Sequence, residues 1–210
     1  MSMGISKQNN NAARRKVERL VYGIGVNDAD YVVWSIINGR KVVCQAYRSW
    51  RNMLQRCYSE KFHHRNPTYA GVKVCEEWLS FMAFRKWWVE NQVDGWQMDK
   101  DLLSDDRIYS PDTCIFVPAW LNTFTVDSGA ARGGLPIGVG FEKRVGKKLK
   151  ARCRHPFGRQ EHLGYFSTPK EAHAAWLARK LEIAHELKNQ MDDIDTRIFQ
   201  RVIEIIIRAK

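Results

Sequence analysis

Apolar positions follow several rhythms along the chain. Between Val21 and Val43, the β-branched runs Tyr31-Val32-Val33-Trp34 and Lys41-Val42-Val43 flank Asn38-Gly39. That dipeptide suits a tight turn with positive φ, so the stretch predicts a β-hairpin. Over 45–58, Tyr47, Trp50, Met53, Leu54 and Cys57 fall three and four residues apart. Arg48, Arg51, Gln55 and Arg56 take the other faces, which predicts a helix. A turn-rich stretch, 59–71, precedes a second predicted helix over 76–91 with Trp78, Phe81, Met82, Phe84, Arg85, Trp87 and Trp88. An aromatic stripe this dense reads as core, because base-stacking platforms sit on sheet faces or in grooves.

From 96 the style changes. A short strand (WQMDKDLL), an acidic loop and a second short strand (TCIFV) lead to a helix opening after Pro118. Residues 127–134, DSGAARGG, have linker composition and mark the best domain boundary. Beyond them three strands are expected at Gly138–Arg144, Lys148–His155 and Gln160–Phe166. A helix follows with a complete start signal: Thr168 as N-cap, Pro169 at the first position and Glu171 at the capping-box position. Ala172, Ala175, Trp176, Ile183, Ala184 and Leu187 form its apolar face. A last helix over 193–209, with Ile194, Ile198, Val202, Ile205 and Ile206, packs on this module or forms a dimer seam; the pattern leaves both open.

Composition narrows the class. Hydrophobic residues make up 44% of the 210, enough for a packed core and too many for a disordered chain. The longest apolar runs, such as Ile205-Ile206-Ile207, fall far short of the roughly 18 residues of a membrane span. Residues 1–20 carry no apolar leader segment, and five widely spaced cysteines fit a reduced compartment, so a soluble cytoplasmic protein is expected. The cysteines include no C-x-x-C pair, so zinc is not expected.

The net charge of +11 favours a polyanionic partner, and its distribution says more. Residues 1–20 hold five basic side chains against Glu18, with Arg14, Arg15 and Lys16 consecutive. Residues 132–162 hold nine against two acids, whereas 90–113 hold Glu90 and six aspartates against Lys100 and Arg107. Basic segments around an acidic one suit an enzyme that grips phosphates and holds a divalent ion on carboxylates.

In Lys148-Leu149-Lys150-Ala151-Arg152-Cys153-Arg154 the alternation is strict, which puts Lys148, Lys150, Arg152 and Arg154 on one face of a sheet. Arg144 and Lys143 belong near its rim. The face shows one sign of charge, and a sheet of this width can lie in the DNA major groove. The string Gly138-Val139, Leu149-Lys150-Ala151-Arg152 and Leu163-Gly164-Tyr165-Phe166-Ser167-Thr168, with Glu171-Ala172 and Ala174-Ala175-Trp176, resembles the AP2 DNA-binding domain over about 138–187. The resemblance implies three antiparallel strands reading duplex DNA, with a helix packed behind.

The acidic segment supplies Asp99-Lys100-Asp101, then Tyr109 to Val117, then Asn122. Strand, loop, strand and helix is the layout of a ββα-metal nuclease site. Such a site needs two ligands for one divalent ion and a group that takes a proton from water. Asp99 and Asn122 can supply the ligands to one Mg²⁺ or Mn²⁺. With Trp50-x-x-Met53-Leu54-x-Arg56-Cys57-Tyr58, Pro67-Thr68-Tyr69 and Glu77-Trp78-x-x-Phe81, the chain resembles bacteriophage HNH homing endonucleases that carry an AP2-like module after the HNH. It departs from them where the general-base His follows the metal-binding Asp, because that position is Lys100. The His-orienting Asn is also missing, with Asp112 or Thr113 near its place. Three readings follow: Lys100 acts with the metal, His63 or His64 folds across as base, or the site keeps only structure or DNA binding.

The expected protein is therefore α+β. It has a basic arm (1–20), a helical and hairpin module with an HNH-like ββα motif (21–126), a linker (127–136), an AP2-like module (137–190) and a C-terminal helix (191–210). The expected function is metal-dependent, sequence-recognising cleavage of double-stranded DNA, by nicking, in a bacterial host's cytoplasm if the chain is phage-encoded. The alternative is a catalytically degenerate DNA-binding protein or regulator. Lys100, Asp99 and Asp101 are the expected catalytic residues. Arg144, Lys148, Lys150, Arg152, Arg154, Arg14, Arg15 and Lys16 are the expected DNA contacts. Neither a membrane nor a small-molecule substrate is expected, and a homodimer through the C-terminal helix is left open.

Overall fold

The computed structural model describes residues 20–126, 133–142 and 148–209. The hairpin forms as predicted: β1 (Trp34–Ile37) pairs antiparallel with β2 (Arg40–Val43). Asn38 and Gly39 both take positive φ in the turn, at 50° and 73°. Helix α1 (Gln45–Tyr58) buries Ala46, Trp50, Met53, Leu54 and Cys57, the face given by its spacing. The next stretch is more ordered than its turn-rich composition suggests. Ser59 accepts the backbone N–H of Phe62 and caps a short helix, α2 (Glu60–Arg65).

The helix expected over 76–91 is broken at Ser80. Strand β3 (Lys73–Val74) is followed by a 3₁₀ turn (Glu77–Leu79) and then helix α3 (Phe81–Asn91). The break has a local cause. The Ser80 hydroxyl accepts the N–H of Ala83, and Asp28 takes both the Ser80 hydroxyl proton and the Met82 N–H. These contacts satisfy the first donors of a new helix. Trp78, Phe81 and Phe84 are buried, as the core reading of the aromatic stripe requires.

Three further short strands follow. β4 (Gln97–Asp99) pairs antiparallel with β6 (Ile115–Val117), and β5 (Ile108–Tyr109) pairs parallel with β3. The strand expected from 96 to 103 stops at Asp99 because Asp99 Oδ1 accepts the N–H groups of Asp101 and Leu102, both at 2.8 Å. That Asx turn competes with the ladder and wins. Helix α4 (Ala119–Thr125) then opens after Pro118.

The remaining strands form one antiparallel sheet in the order β7 (Val139–Glu142), β8 (Lys148–Arg154), β9 (Gln160–Phe166), packed against α5 (Pro169–Glu186). The Thr168–Glu171 capping box closes in both directions at 3.2 Å. The helix expected over 193–209 starts late, as α7 (Ile198–Arg208), and is preceded by a short helix, α6 (Lys188–Asp192), that was not expected. Asp195 makes the turn between them by accepting both the N–H and the guanidinium of Arg197.

One core gathers around α1 and α3, with Trp50, Trp78, Phe81, Phe84 and Tyr109. A second runs from Leu102, Val117, Leu121 and Phe124 to Trp176, Ile183, Met191, Ile198, Val202 and Ile206. Helix α4 thus shares its buried face with α5 and α7, and this packing occupies the apolar stripe of the last helix inside the chain. Among the described residues no helix is long and apolar enough to cross a membrane.

Candidate active site and nucleic-acid interface

The β4–β6 ladder and α4 bring Asp99 and Asn122 to one polar cavity of about 390 Å³. Lys100 and Asp101 line it as well, joined by Ser49, Asn52 and Arg56 from α1 and by Tyr69, Gln97 and Tyr109. Residues as far apart in the chain as Ser49 and Asn122 converge here: α1 packs on α3 and β3, and α4 packs on β4.

Asp99 is held from below by its two backbone donors, while burial raises its carboxyl above the usual range. Both hydrogen bonds go to Oδ1, so Oδ2 has no hydrogen-bond partner among the described residues. Asn122 donates through Nδ2 to Gln97 Oε1 at 2.5 Å, and its carbonyl oxygen is likewise unengaged among the described residues. Two hard oxygens in one polar cavity are the donor chemistry that Mg²⁺ or Mn²⁺ takes, and the residues present fit such an ion. Among the described residues no three His, Cys, Asp or Glu side chains cluster at ligating distance of one point.

Lys100 is 6% exposed. Its ammonium donates to the carboxylate of Asp101, whose side chain is 69% exposed, and lies 5.7 Å from the centre of the Tyr109 ring. An ammonium engaged in this way presents a proton and a charge and has no lone pair to offer water. Arg56 donates to the Tyr109 hydroxyl at 3.5 Å and lies 5.9 Å from the Tyr69 ring centre. The two aromatic rings thereby hold a guanidinium at the cavity. The thiols beneath, Cys57 and Cys114, are both pushed up to about 12 by burial. His63 is not among the lining residues: its Nε2 bonds the backbone carbonyl of Arg56 at 2.8 Å. His64 is also absent from the lining.

In the sequence alone Arg56 falls on a helix face and Tyr109 in the acidic segment, both without a role, and Gln97 and Asn52 are not singled out. A signal for Arg56 and Tyr69 was present, since both lie in the strings that carry the family resemblance.

On the sheet the alternation of β8 holds. Leu149, Ala151 and Cys153 are buried, while Lys148, Arg152 and Arg154 are exposed and Lys150 is half-buried. The outer face is not all of one sign, contrary to the expectation. Glu142 on β7 sits opposite Lys148 in register and accepts the ammonium of Lys150 at 2.6 Å. The β9 neighbours Gln160, His162 and Tyr165 lie opposite Arg154, Arg152 and Lys150, with Tyr165 47% exposed. Between the pairs Ala151–Gly164 and Arg152–His162, β9 carries one extra residue, Leu163, next to Gly164 at φ 130°; this bulge shifts β9 by one so that His162 and Gln160 come opposite the later cations. Arg14, Arg15, Lys16 and Arg144 lie outside the described residues. Compared with known proteins, the chain shows no significant match to a family model, a curated protein or a solved structure.

Proposed function

We propose that the protein is a metal-dependent endonuclease of the HNH type that nicks double-stranded DNA, selecting its site through an AP2-like sheet. The observation that carries this reading is the meeting of Asp99 and Asn122, each with an unengaged oxygen, in one cavity with Arg56. The strand–strand–helix that brings them together is the layout expected of a ββα-metal site.

In this reading Asp99 and Asn122 would hold one Mg²⁺ or Mn²⁺ through their unengaged oxygens. When bound, the ion supplies Lewis-acid polarisation of a phosphoryl oxygen. Arg56 binds the scissile phosphate, pre-oriented by Tyr109 and Tyr69. Water's oxygen forms the new bond to phosphorus as the ester P–O bond breaks, and the leaving oxygen departs with the bonding pair. Asp101 is the exposed carboxylate that takes water's proton, and Lys100 positions it through their ion pair. Lys148, Lys150, Arg152 and Arg154 hold the duplex on the outer face of the sheet, where Gln160 adds an amide suited to an adenine edge. One such site cuts one strand at a time, so a monomer nicks.

The burial of Lys100 where the family's base stands favours a second reading, a DNA-binding protein without catalysis. Incubating the protein with supercoiled DNA in Mg²⁺, Mn²⁺ or EDTA separates the two. Metal-dependent conversion to open circles, lost in Asp99→Asn, supports the nuclease. Salt-sensitive binding without any nicking supports the binding protein.

A further inference from the structure

A second, larger cavity of about 610 Å³ lies where the end of α4, the later half of β8, α5 and the end of α7 meet. Phe124, Trp176 and Ile206 give it an apolar compartment, and Arg152, Arg154 and Lys180 give it a cationic one. The charges are unbalanced in a specific way. Its acid, Asp105, is taken up by Arg201 and Arg208. Lys180 has no carboxylate partner among the described residues; its ammonium lies 3.5 Å from the centre of the Phe124 ring. Burial among these groups draws the Lys180 amine down to about 8, the cost of holding an uncompensated cation out of water. Arg154 forms no ion pair among the described residues, and Arg152 makes only a 3.4 Å hydrogen bond to Gln160 Oε1.

Three cations short of an anion, beside an aromatic compartment, call for a ligand with a multiply charged oxyanion joined to a flat unsaturated body. A cavity of this volume is also the size that small ligands occupy. We propose that this cavity is a nucleotide-binding site, which takes the base in the compartment of Phe124, Trp176 and Ile206 and the phosphate at Lys180, Arg152 and Arg154. The nucleotide comes either free from solution or swung out of a duplex lying on the outer face of β8, to which Arg152 and Arg154 also belong. Only the second source rests on the DNA-binding reading.

Calorimetric titration of the full chain with dAMP, dTMP, deoxyadenosine and inorganic phosphate tests the site directly. The expected result is saturable binding of one mononucleotide per chain, tighter than either the nucleoside or phosphate alone. Lys180→Met, which keeps the apolar stem, and Arg154→Gln, on an exposed strand position, should each weaken it about tenfold or more, the loss of one charge-assisted contact. A parallel arm places 2-aminopurine at successive positions of a duplex. A fluorescence rise at one position, absent with Lys180→Met although the duplex is still bound, assigns the site to an extruded nucleotide. Mononucleotide binding without that rise assigns it to a free one. A duplex that fails to bind at all removes the DNA reading while the mononucleotide titration still decides this one. Absence of both signals, or signals undiminished in both variants, overturns the proposal.

Discussion

Asn122 on α4 and Gln97 on β4 are joined amide to amide, Nδ2 to Oε1, at 2.5 Å. This bond fixes which end of the Asn122 amide is spent and leaves its carbonyl oxygen without a partner among the described residues. In the nuclease reading Gln97 is a positioning residue for a metal ligand, the kind of partner whose loss costs about 10- to 100-fold in metal affinity. Gln97→Ala should raise the Mg²⁺ concentration needed for half-maximal nicking by that factor, with activity recovering at saturating metal. Asn122→Ala should not recover. A titration of nicking rate against Mg²⁺ for both variants checks the split.

Asp99 carries opposing duties. Its Oδ1 ends β4 by capping two N–H groups, and its buried charge is held at a cost that shows as a raised carboxyl pKa. An acid with a folded pKa above its unfolded one loses stability as pH rises through that interval, so at neutral pH the charged form works against folding. Asp99→Asn keeps the capping oxygen and removes the charge. Its melting temperature should equal or exceed that of the wild type at pH 7, while metal-dependent nicking disappears. A variant that is both inactive and markedly less stable would make Asp99 a structural residue.

Much of this arrangement was legible in the sequence because it is local. The Asn38-Gly39 turn, the buried face of α1, the alternation of β8 and the Thr168–Glu171 box are all written within a few residues. Pairings between distant segments were not legible. No local pattern indicates that β3 and β5 pair in parallel, or that Tyr109 from that pair comes to rest against Arg56. The split at Ser80 escaped because its cause, Asp28, lies 52 residues earlier. Asp99 and Asn122 could be named in advance because the strand–strand–helix is itself a short-range motif. Their company in the cavity comes from α1, whose docking is a matter of the aromatic core.

The cations of β8 are not equivalent, and salt dependence should sort them. Lys150 is already paired with Glu142, whereas Arg154 has no ion-pair partner among the described residues. A phosphate contact contributes roughly one unit to the slope of log K against log salt. Arg154→Ala should lower the slope by about one, while Lys150→Ala should lower it by clearly less than one. Fluorescence anisotropy with a short duplex over a range of KCl concentrations measures both slopes.

Asp105 links the loop after the site to α7 through Arg201 and Arg208, and those guanidinium groups hold its carboxyl down at about 2. For an acid with a lowered folded pKa, the stabilisation is complete above the ordinary value and is lost as pH falls through the folded one. The window here runs from 3.8 down to about 2. Asp105→Asn should melt below the wild type at pH 6, and the gap between them should close across that window. A gap that stays constant down to the lowest pH would mean the ion pairs contribute nothing through charge.

Gly138 opens β7 at φ 81°, and a Cβ built there falls 2.1 Å from Cγ of Trp176. Two separate costs meet at this position. The left-handed backbone disfavours any residue with a side chain, and the clash is with a buried indole that belongs to the second core and cannot swing aside without opening it. The carbonyl of Gly138 also receives the N–H of Arg152 at 2.9 Å, so a shift of the backbone would disturb the strand that carries the cations. Gly138→Ala should cost about 3 kcal/mol or more, in line with overpacking combined with backbone strain. By contrast Gly134, with nothing near its Cβ position and no positive φ, should accept Ala with little change. Urea denaturation of the two variants side by side gives the comparison. Equal stabilities would show that Trp176 can repack and that the sheet is not locked to α5 at this point.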